Sequence, residues 1–357
     1  MEIEIRPATE RDDEELMEIV EEVSLEGGIE MVYARRPTFF RGAFIEGYSV
    51  QVLVAEDKEN KKIAGTITRA KRKVWLNGEV REIGYLSTLR VRREYRGSPA
   101  FFKGLLFLKK LHEKDPVPFY LVSLIEGNSY AYRMVKGKGI LPEFFEYGSY
   151  ITHAVFLKKR IKEGDVEVVR GSENMLDDIV LCIQRNGKRR EFYPYYTPED
   201  FGTPLLYGLS PDNFYVAIKS GKVAGVLGKW DQRDFRQFRI EGYRGWMRGI
   251  RPLYNTFAKI TGYPVLPPPG SVLNFFYACF PAVDEDDPRV FYSLLSRLHN
   301  DAVGKYSYFV IAFSPDDPLL RVLKGLRKEI YPAKLYMVAW ERPEIRKGIP
   351  YPEVAIL

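Results

Sequence analysis

The sequence predicts an α/β protein with a mixed sheet, built from two copies of one unit. Two paired runs of strand type, VLVAEDKENKKIAGTITRA at 52–70 and FYVAIKSGKVAGVLGKW at 214–230, each indicate a β-hairpin with a polar turn. A continuous apolar run, FYLVSLI at 119–125, is typical of a buried parallel strand. The basic stretch RREYRGSP at 92–99 ends in a serine and a proline, which are suited to open a helix.

The two halves of the chain match in one constant register. Adding 189 to the residue number makes four of the eight residues that begin this helix identical, and it lays the strands 83–91 and 119–128 on 272–280 and 308–317. Such self-similarity indicates an internal repeat. The identical residues are Pro99, Phe102, Leu105 and Leu106 with Pro288, Phe291, Leu294 and Leu295.

We therefore predict two domains, residues 1–157 and 165–357, joined near KKRIKEGD at 158–165. In each copy the predicted order is strand, helix, irregular segment, hairpin, long strand, helix, strand, helix and strand. The helix after residue 99 is expected to end near Lys114, with an apolar face formed by Phe102, Leu105, Leu106 and Leu108. This order is not the strict alternation of a dinucleotide-binding fold, and no G-x-G-x-x-G follows the first strand.

Composition and charge exclude several classes of protein. A chain of 357 residues with 45% hydrophobic and 29% charged residues is typical of a globular protein with two cores. No apolar run approaches the ~20 residues of a membrane span, and the acidic N-terminus lacks the pattern of a secretory signal. Two distant cysteines and three histidines show no metal-ligand spacing. We expect a cytoplasmic protein without a metal, whose net charge of +6 suits an anionic ligand.

These motifs, in this order, resemble the GNAT superfamily of N-acyltransferases. IRPATERDDEELMEIV at 5–20 resembles the family's first strand and helix, and the hairpin at 52–70 resembles its second and third strands. LSTLRVRREYRG at 86–97 is similar to the fourth strand entering the acyl-CoA phosphate loop, and EGNSYAYRMVKGKGI at 126–140 is similar to the Asn-x-x-Ala helix. The resemblance covers the first copy and, more faintly, the second. It implies two tandem GNAT-like folds.

The resemblance implies acetyl-CoA, or another acyl-CoA, as the co-substrate of the first copy. The family's phosphate loop reads Arg/Gln-x-x-Gly-x-Gly/Ala. Here Arg96 is retained, while Pro99 and Phe101 stand where the small residues belong. The thioester carbonyl is expected to lie against backbone N–H groups of the fourth strand. The implied cofactor-binding residues are Leu89, Val91, Arg96, Gly97, Ser98, Ala100, Asn128 and Ala131.

The matching loop of the second copy is acidic. It carries four consecutive carboxylates, from Asp284 to Asp287, at the mouth of a helix. Carboxylates there satisfy the helix dipole and repel a pyrophosphate. We predict that the second copy does not bind CoA in the usual way and that this loop is a solvated helix start; a metal or a basic partner stays open as an alternative.

Amine acylation requires that the ammonium be deprotonated, the carbonyl polarised and the leaving thiolate protonated. Glu82, before the fourth strand, and Glu126, at the end of the fifth, are the candidate bases; an exposed strand-end carboxylate is the alternative for each. Tyr132 lies close to the position of the family's tyrosine acid and is the candidate acid, with core packing as the alternative. Tyr85 and Ser87 either line the acceptor site or form a buried sheet face.

We predict an acyl-CoA-dependent N-acyltransferase, with acetyl as the favoured acyl group, that acts on a small-molecule or peptide amine. Arginines interleaved with aromatic residues at 230–254 keep open a Fem-type aminoacyl-tRNA-dependent transferase, although we favour a protein without a nucleic acid or membrane partner. A GNAT-fold binding protein without catalysis is the other alternative. The sequence leaves the oligomeric state open.

Overall fold

A computed structural model of the chain describes residues 1–22, 24–25, 29–126, 141–261 and 265–357. Its strands are β1 Ile3–Pro7, β2 Ser24–Leu25, β3 Ile29–Ala34, β4 Ser49–Asp57, β5 Lys62–Leu76, β6 Glu79–Val91, β7 Tyr120–Ile125, β8 Glu143–Phe156, β9 Glu167–Arg170, β10 Phe214–Lys219, β11 Lys222–Trp230, β12 Gln237–Tyr243, β13 Phe275–Val283, β14 Tyr308–Phe313 and β15 Lys328–Ala339. Its helices are α1 Asp13–Glu21, α2 Phe39–Phe44, α3 Ala100–Lys114, α4 Leu176–Gly187, α5 Trp246–Thr261 and α6 Pro288–Ala302.

Twelve of the described strands form one mixed sheet, in the order β1-β4-β5-β6-β7-β15-β8-β14-β13-β11-β10-β9. Strands β12, β3 and β2 form a small antiparallel sheet beside it. The large sheet is nearly symmetric about its centre, because β1, β4, β5, β6 and β7 occupy in one half the places that β9, β10, β11, β13 and β14 occupy in the other. The predicted α/β class with a mixed sheet is confirmed.

The two halves exchange their last strands. Strand β8 of the first half pairs with β14 of the second, and β15 of the second half pairs with β7 of the first. The two exchanged strands also pair with each other at the centre of the sheet. Each half of the sheet therefore includes one strand from the other half of the chain. The limits 1–157 and 165–357 stay a prediction about sequence units, and one continuous sheet crosses them.

Each half carries a β-bulge at the equivalent place. In the first half, two residues of β6, Thr88 and Leu89, face one residue of β5. In the second half, Phe280 and Pro281 of β13 face one residue of β11 in the same way. The first residue of each bulge has a positive φ, +49° at Thr88 and +51° at Phe280. Such bulges bend a strand and end its regular pairing.

The bulges correct the predicted register. Thr88 and Phe280 differ by 192 in residue number, so the constant shift of 189 is wrong by three residues in β6 and β13. The next strand keeps the shift of 189, since Tyr120 and Phe309 are the parallel partners of Gly84 and Phe276. In the sequence, shifts of 189 and 192 both align the apolar strand β6 with the apolar strand β13. The position of the bulge shows that 192 is the correct shift for these two strands.

Helices cover both faces of the first half. Helices α1 and α2 pack against Val52 and Val54, whereas α3 packs against Leu53 and Ile67. Successive strand residues point to opposite faces, so these helices lie on opposite sides of the sheet. Helix α3 begins one residue later than predicted and ends at the predicted residue. Phe102 was wrongly assigned to its apolar face, because its side chain is 47% exposed.

Gly84 is required where β6 meets β7. A Cβ atom added at Gly84 would lie 2.1 Å from Cδ1 of Tyr120, which is buried and accepts a hydrogen bond of 2.9 Å from Arg69 Nε. We expect Gly84→Ala to lower the free energy of unfolding by about 1–3 kcal/mol through overpacking, measured by urea denaturation. Gly104→Ala is the control, because a Cβ atom there meets nothing within 4 Å inside α3. An equal loss in both variants would contradict this role of Gly84.

Candidate functional site

The first half has an open cleft between two parallel strands. Strands β6 and β7 pair only through Gly84–Tyr120 and Tyr85–Leu121, yet β6 continues to Val91. Beyond these pairs no ladder joins the two described strands, so their facing backbone groups are available to another molecule. The bulge lies in this opening. Leu89 and Val91, whose backbone N–H groups are predicted to bond the thioester carbonyl, lie on the β6 side of the cleft.

The phosphate loop, residues 92–99, is fixed at its inner end. The backbone N–H of Arg92 donates to Ala64 O at 2.9 Å, and its buried side chain bonds Glu18 of α1 and Glu22, which follows that helix. The hydroxyl of Tyr95 donates to Asp57 at 3.1 Å. Both contacts tie the loop to the sheet. The remaining residues of the loop can therefore face outward from a fixed base.

The outer part of the loop brings four predicted residues together. Arg96 and Gly97 are exposed, and Gly97 has a φ of +86° that a glycine adopts without strain. The hydroxyl of Ser98 accepts a hydrogen bond of 3.3 Å from the N–H of Ala100, the first residue of α3. Phe101, the second residue of α3, lines a cavity of about 20 Å³ between that helix and the sheet. The loop therefore places a cation at the positive end of a 15-residue helix.

The equivalent cleft of the second half is filled by the chain itself. Strands β13 and β14 pair from Phe275–Tyr308 to Tyr277–Val310 and then separate. The short turn Val354–Ile356 contacts both strands there. Glu353 precedes this turn and is buried, and its Oε2 accepts a hydrogen bond of 2.7 Å from the backbone N–H of Phe280 in the bulge. By the position of the bulge, Phe280 corresponds to Thr88, so the backbone N–H equivalent to that of Thr88 is already bonded in the second cleft.

The carboxylates of the acidic loop in the second half are paired with neighbouring side chains. Asp284 accepts hydrogen bonds from Arg185 at 2.7 Å and Asn186 at 2.8 Å. Burial raises the pKa of Asp284, but these two hydrogen bonds outweigh it and hold the pKa below its usual value. Asp286 forms an ion pair with Arg190 at 2.7 Å. The predicted helix start is therefore solvated only in part: Glu285 is exposed, whereas arginines that follow α4 or lie on it bond Asp284 and Asp286.

Asp287 caps α6 by accepting a hydrogen bond of 2.8 Å from the backbone N–H of Arg289. The sequence predicts this interaction of a loop carboxylate with the positive end of the helix.

In the part of the chain that the structure describes, no group of three or more His, Cys, Asp or Glu side chains is placed to hold a metal ion.

The two predicted catalytic residues that the structure describes, Glu82 and Glu126, do not lie together. Glu82 lies six residues before Thr88, about 20 Å along an extended strand, and forms an ion pair of 2.7 Å with Lys71. Glu126 follows β7 at the open end of the cleft, is exposed, and donates its backbone N–H to Pro332 O at 3.0 Å. Tyr132, and the cofactor-binding residues Asn128 and Ala131, lie outside the described residues. The roles of all five stay predictions.

A cluster of four arginines, formed by Arg35, Arg72, Arg90 and Arg236, lies beside the bulge on the α2 face of the sheet; Arg90 is half-buried and the other three are buried. Its centre is Glu46, which pairs with Arg35 and accepts a hydrogen bond of 2.6 Å from Ser87 Oγ. Sequence reasoning missed these residues. Their charges are scattered over 200 residues of chain and no spacing pattern marks them.

Tyrosines complete the cluster. The hydroxyl of Tyr33 accepts hydrogen bonds from Arg35 Nε at 3.0 Å and Arg236 Nε at 2.6 Å. The guanidinium of Arg72 lies 3.9 Å from the ring centre of Tyr85, which is buried. Tyr85 thus packs within the sheet face, whereas Ser87 contacts the carboxylate of the cluster.

No protein-family model and no curated protein matches the sequence. Solved structures match almost the whole chain. A conserved Enterococcus faecalis protein, described as a probable N-acyltransferase, is 12% identical with a TM-score of 0.53 over 96% of this chain and 73% of its own. A GCN5-related N-acetyltransferase from Anabaena variabilis is 13% identical, with a TM-score of 0.52 over 95% and 73%.

Saccharomyces cerevisiae N-myristoyltransferase with bound myristoyl-CoA is 13% identical, with a TM-score of 0.59 over 94% of this chain and 82% of that protein. At such identities the likeness shows the fold alone. This chain has the fold of GNAT-type N-acyltransferases, with two GNAT-like units. Among its described helices, none has the length and apolar character needed to cross a membrane.

Glu353 gives the fold a measurable pH dependence. Burial raises the pKa of Glu353 to about 7, although hydrogen bonds from Phe280, Ala355 and Tyr351 oppose the shift. The usual value is 4.5, so the folded protein keeps a proton that the unfolded chain releases between pH 4.5 and 7. We expect the free energy of unfolding to fall by about 3 kcal/mol from this cause across that range, and then to level off.

The Glu353→Gln variant provides the control, because glutamine keeps the acceptor oxygen and releases no proton. Urea denaturation of both proteins at several pH values isolates the contribution of Glu353 from all other titrating groups. Burial raises the pKa of the neighbouring Tyr351 and Tyr193 well above the usual range, so both stay neutral. Identical pH slopes in the two proteins would contradict a buried, protonated Glu353.

Proposed function

We propose that the protein is an acyl-CoA-dependent N-acyltransferase whose working cleft lies between β6 and β7. The observation that carries this proposal is the difference between the two equivalent clefts. The first is open, has a bulge inside it and a cationic loop at its end, whereas the second is filled by Glu353 and its loop carboxylates are paired. Structures with this fold include N-acyltransferases, one of them with bound myristoyl-CoA.

The proposed arrangement follows the shape of the cleft. The phosphates of the acyl-CoA would lie against Arg96, Gly97, Ser98 and the N–H of Ala100, where the helix dipole and the guanidinium favour negative charge. The thioester would lie along β6, where backbone N–H groups at Leu89 and Val91 would stabilise the developing oxyanion. In the sequence, Asn128 and Ala131 extend this site as the resemblance implies.

The proton steps need a base and an acid. Of the two candidate bases, we favour Glu126, since parallel register places it level with Arg90 at the open end, whereas Glu82 is about 20 Å from the bulge and paired with Lys71. Tyr132 is the proposed acid for the leaving thiolate.

We also propose that the two halves descend from one duplicated unit, and that acetyl is the transferred group.

The arrangement of the arginine-rich segment does not favour a transfer RNA substrate. Arg233 pairs with Asp231, Arg239 with Glu21 and Glu241, and Arg236 is buried. Arginines neutralised by carboxylates do not form the continuous basic surface that phosphate recognition requires.

Arg96 tests the cofactor site. We expect acetyl-CoA to bind the wild-type chain with a stoichiometry near one, and Arg96→Glu to weaken binding at least tenfold by replacing a charge-assisted contact with repulsion. Isothermal titration calorimetry measures both quantities. Lys114→Glu, the same charge change at the far end of α3, should leave the affinity unchanged.

Three results would count against the proposal. Unchanged affinity in Arg96→Glu would place the phosphates elsewhere, and a stoichiometry of two would show that the second cleft also binds. Tight binding without acylation of any amine, measured by release of free CoA thiol, would instead favour a binding protein without catalysis.

A further inference from the structure

The arginine cluster borders the reaction cleft. Arg90 lies opposite Thr66 of β5, and Ser87 lies opposite Thr68. Thr66 and Thr68 are two residues apart on β5, so their side chains point to the same face of the sheet. The bulge between them therefore leaves both side chains on the α2 face of the sheet, opposite α3. Arg90 is two residues beyond Thr88, or about 7 Å along the strand. The cluster thus lies close to the place where an amine would meet the thioester.

The cluster carries more positive charge than its described partners neutralise. Arg35, Arg72 and Arg236 are 1%, 7% and 5% exposed, and arginine stays protonated in proteins. Of the side-chain carboxylates in the described residues, Glu46 alone forms an ion pair with any of the four arginines. Arg236 also donates to the backbone oxygen of Leu357 at 2.5 Å. Even if that oxygen carried a full charge, two positive charges would remain.

Two donors of the cluster lack an acceptor among the described residues. Arg35 Nη1 and Arg90 Nε are both shielded from solvent and have no hydrogen-bond partner there. A buried charged donor without an acceptor costs free energy, and the cost disappears when a ligand supplies the acceptor. Burial and the nearby Arg35 both lower the pKa of Arg90. The charges of the two guanidiniums therefore repel each other, and an anion that accepts from both unpaired donors would relieve this repulsion.

From this geometry we infer that the acceptor amine carries a carboxylate, which Arg35 and Arg90 bind. The inference rests on the proposed acyl transfer for its amine, and on the cluster for its anion. A guanidinium matches a carboxylate with two parallel hydrogen bonds. Because Arg90 is only about 7 Å from the bulge, amine and carboxylate must lie within a few bonds of each other. The substrate class is therefore free amino acids and similarly small amino carboxylates.

The test compares amines that differ only in the carboxylate. Glycine, leucine, phenylalanine and glutamate are each compared with the corresponding α-amide, first by calorimetric titration onto the protein and then as acceptors with acetyl-CoA. We expect at least one acid to bind and to exceed its amide at least tenfold in affinity and in kcat/KM. The dipeptide Gly-Leu, in which the carboxylate is farther from the amine, should be a poorer acceptor.

Two variants connect the preference to the cluster. Arg90→Gln should raise the Kd and KM for the preferred acid at least tenfold and leave those for its amide unchanged, while acetyl-CoA affinity stays at the wild-type value. Arg90→Lys, which keeps the charge, should restore part of the preference. Arg81→Gln, an exposed arginine on the same strand, is the matched control.

The outcomes separate this inference from the proposed function. Acids and amides that bind and react equally, or a preference that survives in Arg90→Gln, would overturn the inference while acyl transfer stands. Absence of acetyl-CoA binding would overturn the proposed function, and calorimetry with the acids alone would still decide whether the cluster binds a carboxylate. If no acid binds the wild-type protein, the carboxylate site is wrong.

Discussion

The pairing of β15 with both β7 and β8 is the interaction on which the rest of the structure depends. Backbone N–H and C=O groups inside a protein must be paired, and a strand can leave one neighbour only if its other edge is secure. Strand β7 can diverge from β6 after Leu121 because β15 pairs with it as far as Ile125. The exchange of strands therefore stabilises the open cleft, and β8 does the same for β14 in the second half.

The same opening has two different fates in the two halves. In the second half, the chain supplies its own acceptor to the bulge, through Glu353, and its own cations to the acidic loop, through Arg185 and Arg190. In the first half, the equivalent loop is basic, and the carboxylates of Glu18 and Glu22 bond Arg92 at its inner end. The symmetric backbone thus carries an asymmetric chemistry, and the asymmetry depends on a few side chains rather than on topology.

Local patterns in the sequence predicted much of this fold. The hairpins, the helix that ends at Lys114 and the contrast between a basic and an acidic loop all depend on residues close together in the chain. The register in β6 could not be predicted, because a bulge at Thr88 leaves no mark in an apolar strand. Strand exchange was equally hidden, since sequence order does not say which half a strand pairs with.

The sequence marks only the loop of the candidate site, whose role in cofactor binding stays a prediction. Arg96 to Ala100 form one contiguous motif, whereas Arg35, Glu46 and Arg236 meet through tertiary packing alone. The role of Glu82 as a base stays a prediction: it lies at the start of β6, about 20 Å from the bulge along the strand, and forms an ion pair with Lys71.

Strand exchange also determines when the protein can finish folding during synthesis. The edges of β7 and β8 await a partner strand that begins at Lys328, about 200 residues after β7 ends. At a ribosomal rate of 5–20 residues per second, this delay is roughly 10–40 s. Unpaired apolar edges are templates for association with other chains. Nascent chains of this protein are therefore exposed to aggregation until β15, which ends at Ala339, has been translated.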